Sequence, residues 1–182
     1  MNTVEQAREN NPGGDDYWGP REDFWQKYKD LIKFTMHPDK VDDVHHLHFG
    51  IIEEVLEFLM EIPKFGDDPN RIDEEAGDVL WYVVAYYEAM RWTDVTKLNN
   101  VISYKHSSMD IMLALQKFIK NIRKLDINHV SYENRKHRIF DSLRVICEAL
   151  KAYTELPLHQ IAKGNMKKLY KKWEERHSES SD

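Results

Sequence analysis

The sequence predicts an all-α protein, and three observations support that fold class. Along most of the chain the apolar residues recur three and four positions apart, which is the period of an amphipathic helix. Only seven glycines and six prolines occur in 182 residues, and most stand where a helix is expected to begin or end. Short β-prone runs such as 81–85 lie inside longer helical patterns. We therefore expect a helical bundle around one core.

The first half of the chain predicts three helices. The first covers about Arg21–Met36, and the second covers about Val41–Ile62. The third has the clearest start, because Asp68 can cap it and Pro69 can occupy its first turn. From Ile72–Trp92 this helix is apolar almost all round, which is typical of a central and buried element.

The second half predicts a connection and three more helices. The connection covers about Thr93–Lys105, and the fourth helix about Met109–Leu125. The fifth covers about Tyr132–Leu156, and the sixth begins after Pro157 and covers about Leu158–Glu175. We expect one domain over residues 20–177, with a flexible arm at 1–19 and a frayed tail at 178–182.

The composition is that of a globular, soluble protein, with 41% hydrophobic and 32% charged residues. The single cysteine, Cys147, excludes an internal disulfide and predicts a buried small hydrophobe in a reducing, cytoplasmic setting. The chain has no apolar run of about 18 residues and no signal core, so we expect no membrane partner. A net charge of -6 argues against a nucleic-acid partner.

Two acidic pairs stand on either side of one short loop and carry the chemistry. Glu54 and Glu57 are three residues apart, as are Glu75 and Asp78, so each pair projects from neighbouring turns of its helix. Helices joined by so short a loop pack as antiparallel neighbours. Four carboxylates brought together repel one another, and a hard cation such as Mg²⁺ relieves that repulsion.

An isolated pair of this kind is usually a solvated helix face, but the position of the second pair argues otherwise. Glu75 and Asp78 interrupt the most apolar helix of the chain, where an ionised carboxylate is costly to bury without compensation. Gly77 lies between them and costs about 1 kcal/mol relative to alanine, which indicates that another backbone or a ligand comes close. Glu53 and Glu61 either join the cluster or are solvated.

These residues carry a family resemblance. The stretches 50–58 and 74–82 together resemble the paired acidic motif of the MazG-like, all-α nucleoside triphosphate pyrophosphohydrolases. In 161–173, Asn165 and Lys168 match the Asn and Lys of the family's late helix, and Lys172 stands where arginine is common. Leu56 replaces a frequent glycine, and segment 93–132 is longer than the family's minimal core needs. The fold implied is the MazG-like bundle with an extra helical segment.

The resemblance implies Mg²⁺-dependent hydrolysis of a (deoxy)nucleoside triphosphate to the monophosphate and pyrophosphate, for housecleaning or control of the nucleotide pool. Mn²⁺ is a possible substitute. The implied metal ligands are Glu54, Glu57, Glu75 and Asp78, and the implied catalytic residues are Glu53 and Glu54. One helical stripe, Asn165, Lys168 and Lys172, is expected to contact the phosphates. Without the resemblance, the lysines read as a solvated helix end favoured by the macrodipole.

Other residues predict packing before function. His45, His46 and His48 with His37 resemble a metal cluster but are expected to be surface histidines. The aromatic residues of the first and third helices are expected in the core, with base stacking as the second reading; they are Trp25, Tyr28, Phe34, Trp81, Tyr82, Tyr86 and Tyr87.

The rival reading is a non-catalytic helical interaction module with an acidic surface. A di-iron bundle is disfavoured, since its Glu-x-x-His motif occurs only at Glu174 to His177, and neither a His-Asp dipeptide nor a P-loop is present. The breadth of the third helix's apolar surface and the extra segment predict a homodimer or higher homo-oligomer.

Overall fold

This computed structural model describes residues 21–36, 43–64, 69–92, 98 and 101–178. The regular structure of these residues consists of six α-helices and one 3₁₀ turn. The helices are α1 (Arg21–Thr35), α2 (Val44–Glu61), α3 (Pro69–Ala89), α4 (Ser108–Ile122), α5 (Tyr132–Thr154) and α6 (Leu158–Ser178). These residues contain no β-strand, so the all-α prediction is confirmed. The predicted arm at 1–19, Asp68 and most of the connection after residue 92 lie outside the described residues.

The start of α2 is fixed by a side-chain cap. The predicted start was near Val41, but the helix begins at Val44, where the Asp43 carboxylate accepts a hydrogen bond from the His46 backbone N–H at 3.1 Å. Such a cap satisfies an amide that has no partner within the helix. After Glu61 the chain tightens into the 3₁₀ turn Ile62–Lys64.

The end of α3 differs from the prediction. The apolar pattern runs to Trp92, but the helix ends at Ala89, and Arg91 adopts a left-handed backbone with φ of 53°. This turn sends the Trp92 ring back onto Phe140 of α5, with a centroid distance of 4.9 Å. Trp92 is buried as predicted, but through a reversal of the chain and not through helix continuation.

The later helices also begin and end within a few residues of their predicted bounds. A reciprocal cap between Ser107 and Asp110 starts α4 one residue early, and the helix ends three residues before the predicted Leu125. Helix α5 ends two residues early because Glu155 is left-handed, with φ of 58°. Ser178, predicted in the frayed tail, is the last residue of α6.

Helix α3 is the centre of the core, as its composition predicted. It packs against α1, α2, α5 and α6, while α4 and α5 form a hairpin that also contacts α2 through α4. Cys147 is fully buried, as expected of a small hydrophobe. No helix of the described residues is both long and apolar enough to cross a membrane. The single-domain boundaries stay a prediction.

His48 corrects the expectation of a surface histidine. Its ring lies 5.1 Å from Tyr86 and 6.0 Å from Phe118, centroid to centroid, at the contact of α2 with α4. Burial, with a smaller effect of His45, lowers the pKa of His48 to about 4. A neutral imidazole that packs between helices is structural. His37 lies outside the described residues, so a four-histidine metal cluster finds no support in the part of the chain that the structure describes.

Candidate functional site

The structure brings three of the predicted acidic side chains together. Glu54 and Glu57 of α2 and Glu75 of α3 each offer a carboxylate oxygen, and these oxygens all lie within 4.8 Å of one another. Glu54 and Glu75 are partly buried, whereas Glu57 is exposed and opens the cluster to solvent. Asp78 lies one turn further along α3, close enough to affect the pKa values of Glu54 and Glu75.

The antiparallel packing of α2 and α3 places these residues opposite each other. Near the start of α2, Gly50 lies so close to α3 that a Cβ built on it would be 2.1 Å from Cε1 of Tyr82. At the other end of the same contact, Glu57 faces Glu75. The two helices run antiparallel, so residues later in α2 lie opposite residues earlier in α3. The two acidic pairs, each with a spacing of three, therefore face one cleft.

Asp78 is held by helix α6. The Asn165 side-chain amide donates to Oδ1 of Asp78 at 2.5 Å, and the Lys168 ammonium donates to Oδ2 at 2.6 Å. Gly77 permits this approach, since a Cβ built there would lie 2.8 Å from Cβ of Asn165. The close neighbour that the mid-helix glycine indicated is therefore α6. Residues about ninety positions apart in sequence meet at one carboxylate.

The cluster is electrostatically strained without a cation. Burial, followed by the charges of Asp78, Glu57, Glu75 and Glu53, raises the pKa of Glu54 to about 7. Burial, followed by Glu57 and Asp78, also raises the pKa of Glu75, against the opposing effect of Lys168. Repulsion of this kind is relieved by a bound divalent cation, and carboxylate oxygens are the ligands that Mg²⁺ and Mn²⁺ prefer. The donor set therefore fits a hard cation.

Not every predicted site residue joins the cluster. Glu53 is exposed on α2 beside Glu54, and it acts on Glu54 through its charge. Lys172 is exposed one turn beyond Lys168 and makes no ion pair with any residue that the structure describes. Glu61, for which cluster membership or solvation was expected, is instead buried and lies 3.3 Å from the Arg71 guanidinium.

Two tyrosines lie nearer to the acidic site than the sequence indicated. Burial and then the charges of Glu54, Glu53 and Asp78 raise the pKa of the half-buried Tyr82. Tyr28 of α1 is fully buried, and burial and then Asp78 raise its pKa well above the usual value. Its hydroxyl has no hydrogen-bond partner among the described residues. No spacing rule connects Tyr28 with Asp78, because the contact arises from the packing of α1 against α3.

The fold and the site define a class of protein: an all-α bundle with an acidic cluster between two antiparallel helices. The family model of the MazG nucleotide pyrophosphohydrolase domain matches residues 43–106. That segment contains α2, α3 and all four acidic residues, so the family resemblance is confirmed there, and the match supports nucleotide pyrophosphohydrolase activity. Asn165, Lys168 and Lys172 lie beyond the matched segment. No curated protein and no solved structure shows significant similarity to the chain.

Proposed function

We propose that the protein hydrolyses a (deoxy)nucleoside triphosphate to the monophosphate and pyrophosphate in a Mg²⁺-dependent reaction. The observation that carries this proposal is the convergence of Glu54, Glu57 and Glu75, with Asp78 beside them in contact with Lys168. The MazG domain match over the same helices supports the reaction class. Housecleaning or control of the nucleotide pool is the corresponding cellular role.

The proposed metal ligands are Glu54, Glu57, Glu75 and Asp78. A bound Mg²⁺ or Mn²⁺ supplies neutralisation of the triphosphate charge and a lower pKa for a coordinated water. The exposed Glu57 gives access from solvent, while Glu54 and Glu75 are partly buried. The raised pKa of Glu54 shows that its ionised form is disfavoured in the absence of a cation. A bound divalent cation would favour the ionised form and offset the repulsion between the carboxylates.

The proposed proton acceptors are Glu53 and Glu54. A general base must lie within hydrogen-bond reach of the water that it deprotonates, and Glu54, as a member of the carboxylate cluster, would lie beside a water held by the cation. Glu53 is exposed next to it and is the alternative acceptor if Glu54 is held as a ligand. Attack of the water on one of the two phosphorus atoms of the α–β bridge breaks that bridge. The water proton passes to the base, and the products are the monophosphate and pyrophosphate.

The late helix is proposed to contact the phosphates. Lys168 is one-fifth exposed and shares its ammonium with Asp78, so it can extend toward a triphosphate without leaving the site. Asn165 is buried and its side-chain amide donates to Asp78, so its proposed role is to position that carboxylate. Its Oδ1 has no hydrogen-bond partner among the described residues. The exposed Lys172 is the outer contact on the same helix.

Tyr82 is the candidate for stacking on the base, because it is half-buried beside the acidic cluster. Tyr86 and Tyr87 are buried within the core, as their helical spacing predicted. Phe34 belongs to α1, but its side chain lies outside the described part of the structure.

A homodimer or higher homo-oligomer is the proposed assembly. Phe49, Leu56 and Met60 follow one another at spacings of seven and four on α2 and expose 71%, 40% and 60% of their surfaces. An apolar face of this kind is typical of an interface between copies. The proposed location is the cytoplasm, where the buried Cys147 stays reduced.

A panel of ribo- and deoxyribonucleoside triphosphates, assayed with Mg²⁺ for pyrophosphate and for orthophosphate, tests the function. We expect equimolar monophosphate and pyrophosphate from at least one substrate, and no activity after chelation. The variant Asp78→Asn should lose pyrophosphate release while its far-ultraviolet circular dichroism stays helical. Orthophosphate as the first product contradicts the proposed bond. Absence of both turnover and Mg²⁺ binding favours the non-catalytic interaction module.

A further inference from the structure

The hairpin α4–α5 has the opposite charge to the helices that carry the acidic cluster. Residues 108–154 contain nine Lys and Arg against five Asp and Glu, although the whole chain has a net charge of -6. Residues 43–92 contain three Lys and Arg against twelve Asp and Glu. Charge that is separated in this way creates a positive potential at the hairpin, which attracts anions to it.

A groove of about 690 Å³ runs between α4 and α5 on this basic hairpin. Its charged lining consists of Lys117 and Lys120 of α4, Arg138 and Arg144 of α5, and the carboxylates Asp110 and Asp141. None of the acidic cluster's residues lines it. A cleft of this volume matches a small organic ligand.

Three of the four cationic side chains of the groove have no acidic partner within ion-pair distance among the described residues. In the described residues, Lys117, Lys120 and Arg138 form no ion pair, whereas Arg144 contacts the buried Glu148 at 2.5 Å. Asp110 is already engaged, since it accepts hydrogen bonds from the hydroxyl and backbone N–H of Ser107. Asp141 is therefore the one remaining lining carboxylate that opposes three available cations.

Two buried polar side chains in the groove bond to backbone carbonyls of their own helices. The amide of Asn121 donates to the Lys117 carbonyl at 2.7 Å, and the hydroxyl of Ser142 donates to the Arg138 carbonyl at 2.9 Å. Both side chains line the groove, and both residues are almost fully buried. Each of these bonds lies within one helix, so the helices themselves satisfy the two buried polar side chains, and the exposed Lys117 and Arg138 side chains are left to face a ligand.

We propose that this groove binds an oligophosphate group, either free or as part of a nucleotide. Two lysines and an arginine from opposite walls match a ligand that carries several adjacent negative charges, and Arg and Lys are the usual phosphate contacts. A small ligand fits better than a nucleic-acid backbone, because the negative charge of the remaining chain repels an extended polyanion. This second site does not depend on the activity proposed for the acidic cluster.

Titration calorimetry with inorganic tripolyphosphate and with a nucleoside triphosphate, both in excess chelator, tests the site. Chelation removes divalent cations, so the acidic cluster contributes no metal-mediated binding. We expect saturable binding to the wild type and at least about tenfold weaker binding to Lys117→Gln/Lys120→Gln and to Arg138→Gln. The matched control is Arg123→Gln/Lys124→Gln, which removes two exposed charges just beyond α4 and outside the groove.

The control and Lys168→Gln should each bind with less than about a twofold change. Equal loss in the control and groove variants would show diffuse attraction and overturn the proposal. Loss confined to Lys168→Gln would place the anion at the acidic site and also overturn it. So would the absence of binding by a wild type whose circular dichroism and thermal transition show that it is folded. Arg138→Gln decides the outcome if the double lysine variant is unfolded.

Discussion

The α2–α3 pair and the α4–α5 hairpin differ in the charged neighbours that they give to a buried or partly buried carboxylate. In the hairpin, the nearly buried Glu148 lies 2.7 Å from Nε2 of His106 and 2.5 Å from the Arg144 guanidinium, so the protein itself supplies the partners. Between α2 and α3, Glu54 has other carboxylates as its charged neighbours. The three clustered glutamates form no ion pair with the described residues, and this is the repulsion that the proposed divalent cation relieves.

The two regions also differ in their contacts with neighbouring segments. Lys168 of α6 reaches the edge of the acidic cluster but contacts Asp78 and not the three clustered glutamates. The same part of α5 also contacts the segment before α4, since the Glu148 backbone carbonyl accepts from Tyr104 N–H and the Tyr153 hydroxyl donates to the His106 carbonyl. Glu148 is therefore paired within the protein, whereas burial and neighbouring carboxylates disfavour the ionised forms of Glu54 and Glu75.

The largest expected effect is on activity. Glu57→Gln removes a charge from an exposed residue and should lower pyrophosphate release by about 100-fold or more, since the cation loses one of its proposed ligands. The matched control, Glu133→Gln, removes an exposed charge from α5 and should leave turnover within about twofold. Steady-state assays with saturating Mg²⁺ check both. Full activity in Glu57→Gln would remove that residue from the site.

A glycine pair tests the contact between α3 and α6. Gly77→Ala places a Cβ 2.8 Å from Cβ of Asn165 and should destabilise the protein by about 1–3 kcal/mol while lowering activity. Gly164 lies on the same helix as Asn165, and a Cβ built on it has no neighbour within 4 Å. Gly164→Ala should therefore stabilise the protein by about 0.5–1 kcal/mol. Urea denaturation measures both changes. Equal changes in the free energy of unfolding for the two substitutions would mean that helix propensity alone determines the effect, and that the contact with Asn165 does not contribute.

Charge removal should have opposite effects on stability in the two regions. Without divalent cations, Glu54→Gln should raise the midpoint of thermal unfolding because it relieves repulsion among the clustered carboxylates. Glu148→Gln should lower stability by about 1–2 kcal/mol because the His106 and Arg144 contacts lose their charged partner. Calorimetry in chelator measures both. A lower midpoint for Glu54→Gln would contradict the proposed strain.

The smallest effect concerns pH. The folded pKa of Glu54 is about 7, above its ordinary value of 4.5, so the folded state binds more protons than the unfolded state between these values. This group's contribution to stability without metal therefore falls as pH rises from 4.5 to 7. Cation affinity changes in the other direction, by at most about tenfold per pH unit, because the cation binds the ionised form.

The thermal shift caused by Mg²⁺ should accordingly be larger at pH 8 than at pH 6, on either side of the Glu54 pKa of about 7. Scanning calorimetry with and without Mg²⁺ at both pH values checks this. Glu54→Gln should show the smaller dependence on pH, and an equal dependence in that variant would assign the titration to another group.

The local parts of this architecture were predictable from sequence, and the non-local contacts were not. Pro69 predicted the start of α3, and the apolar run that follows predicted its central place, because both signals lie within one helix. The reversal at Arg91 and the inward position of His48 depend on Phe140 and Phe118, which are distant in sequence. Spacing indicated that the acidic pairs meet. The contact of Asn165 and Lys168 with Asp78 was not predicted, because the family resemblance indicated only that these residues contact the phosphates.

Binding of a divalent cation by the α2–α3 carboxylates is most directly tested by titration calorimetry with Mn²⁺ and with Mg²⁺. We compare the wild type with Glu54→Gln/Glu57→Gln, using circular dichroism to confirm that both are folded. Saturable binding by the wild type and its loss in the double variant are the expected result. A wild type that binds neither cation, or a double variant that binds them as well as the wild type, would contradict the central claim.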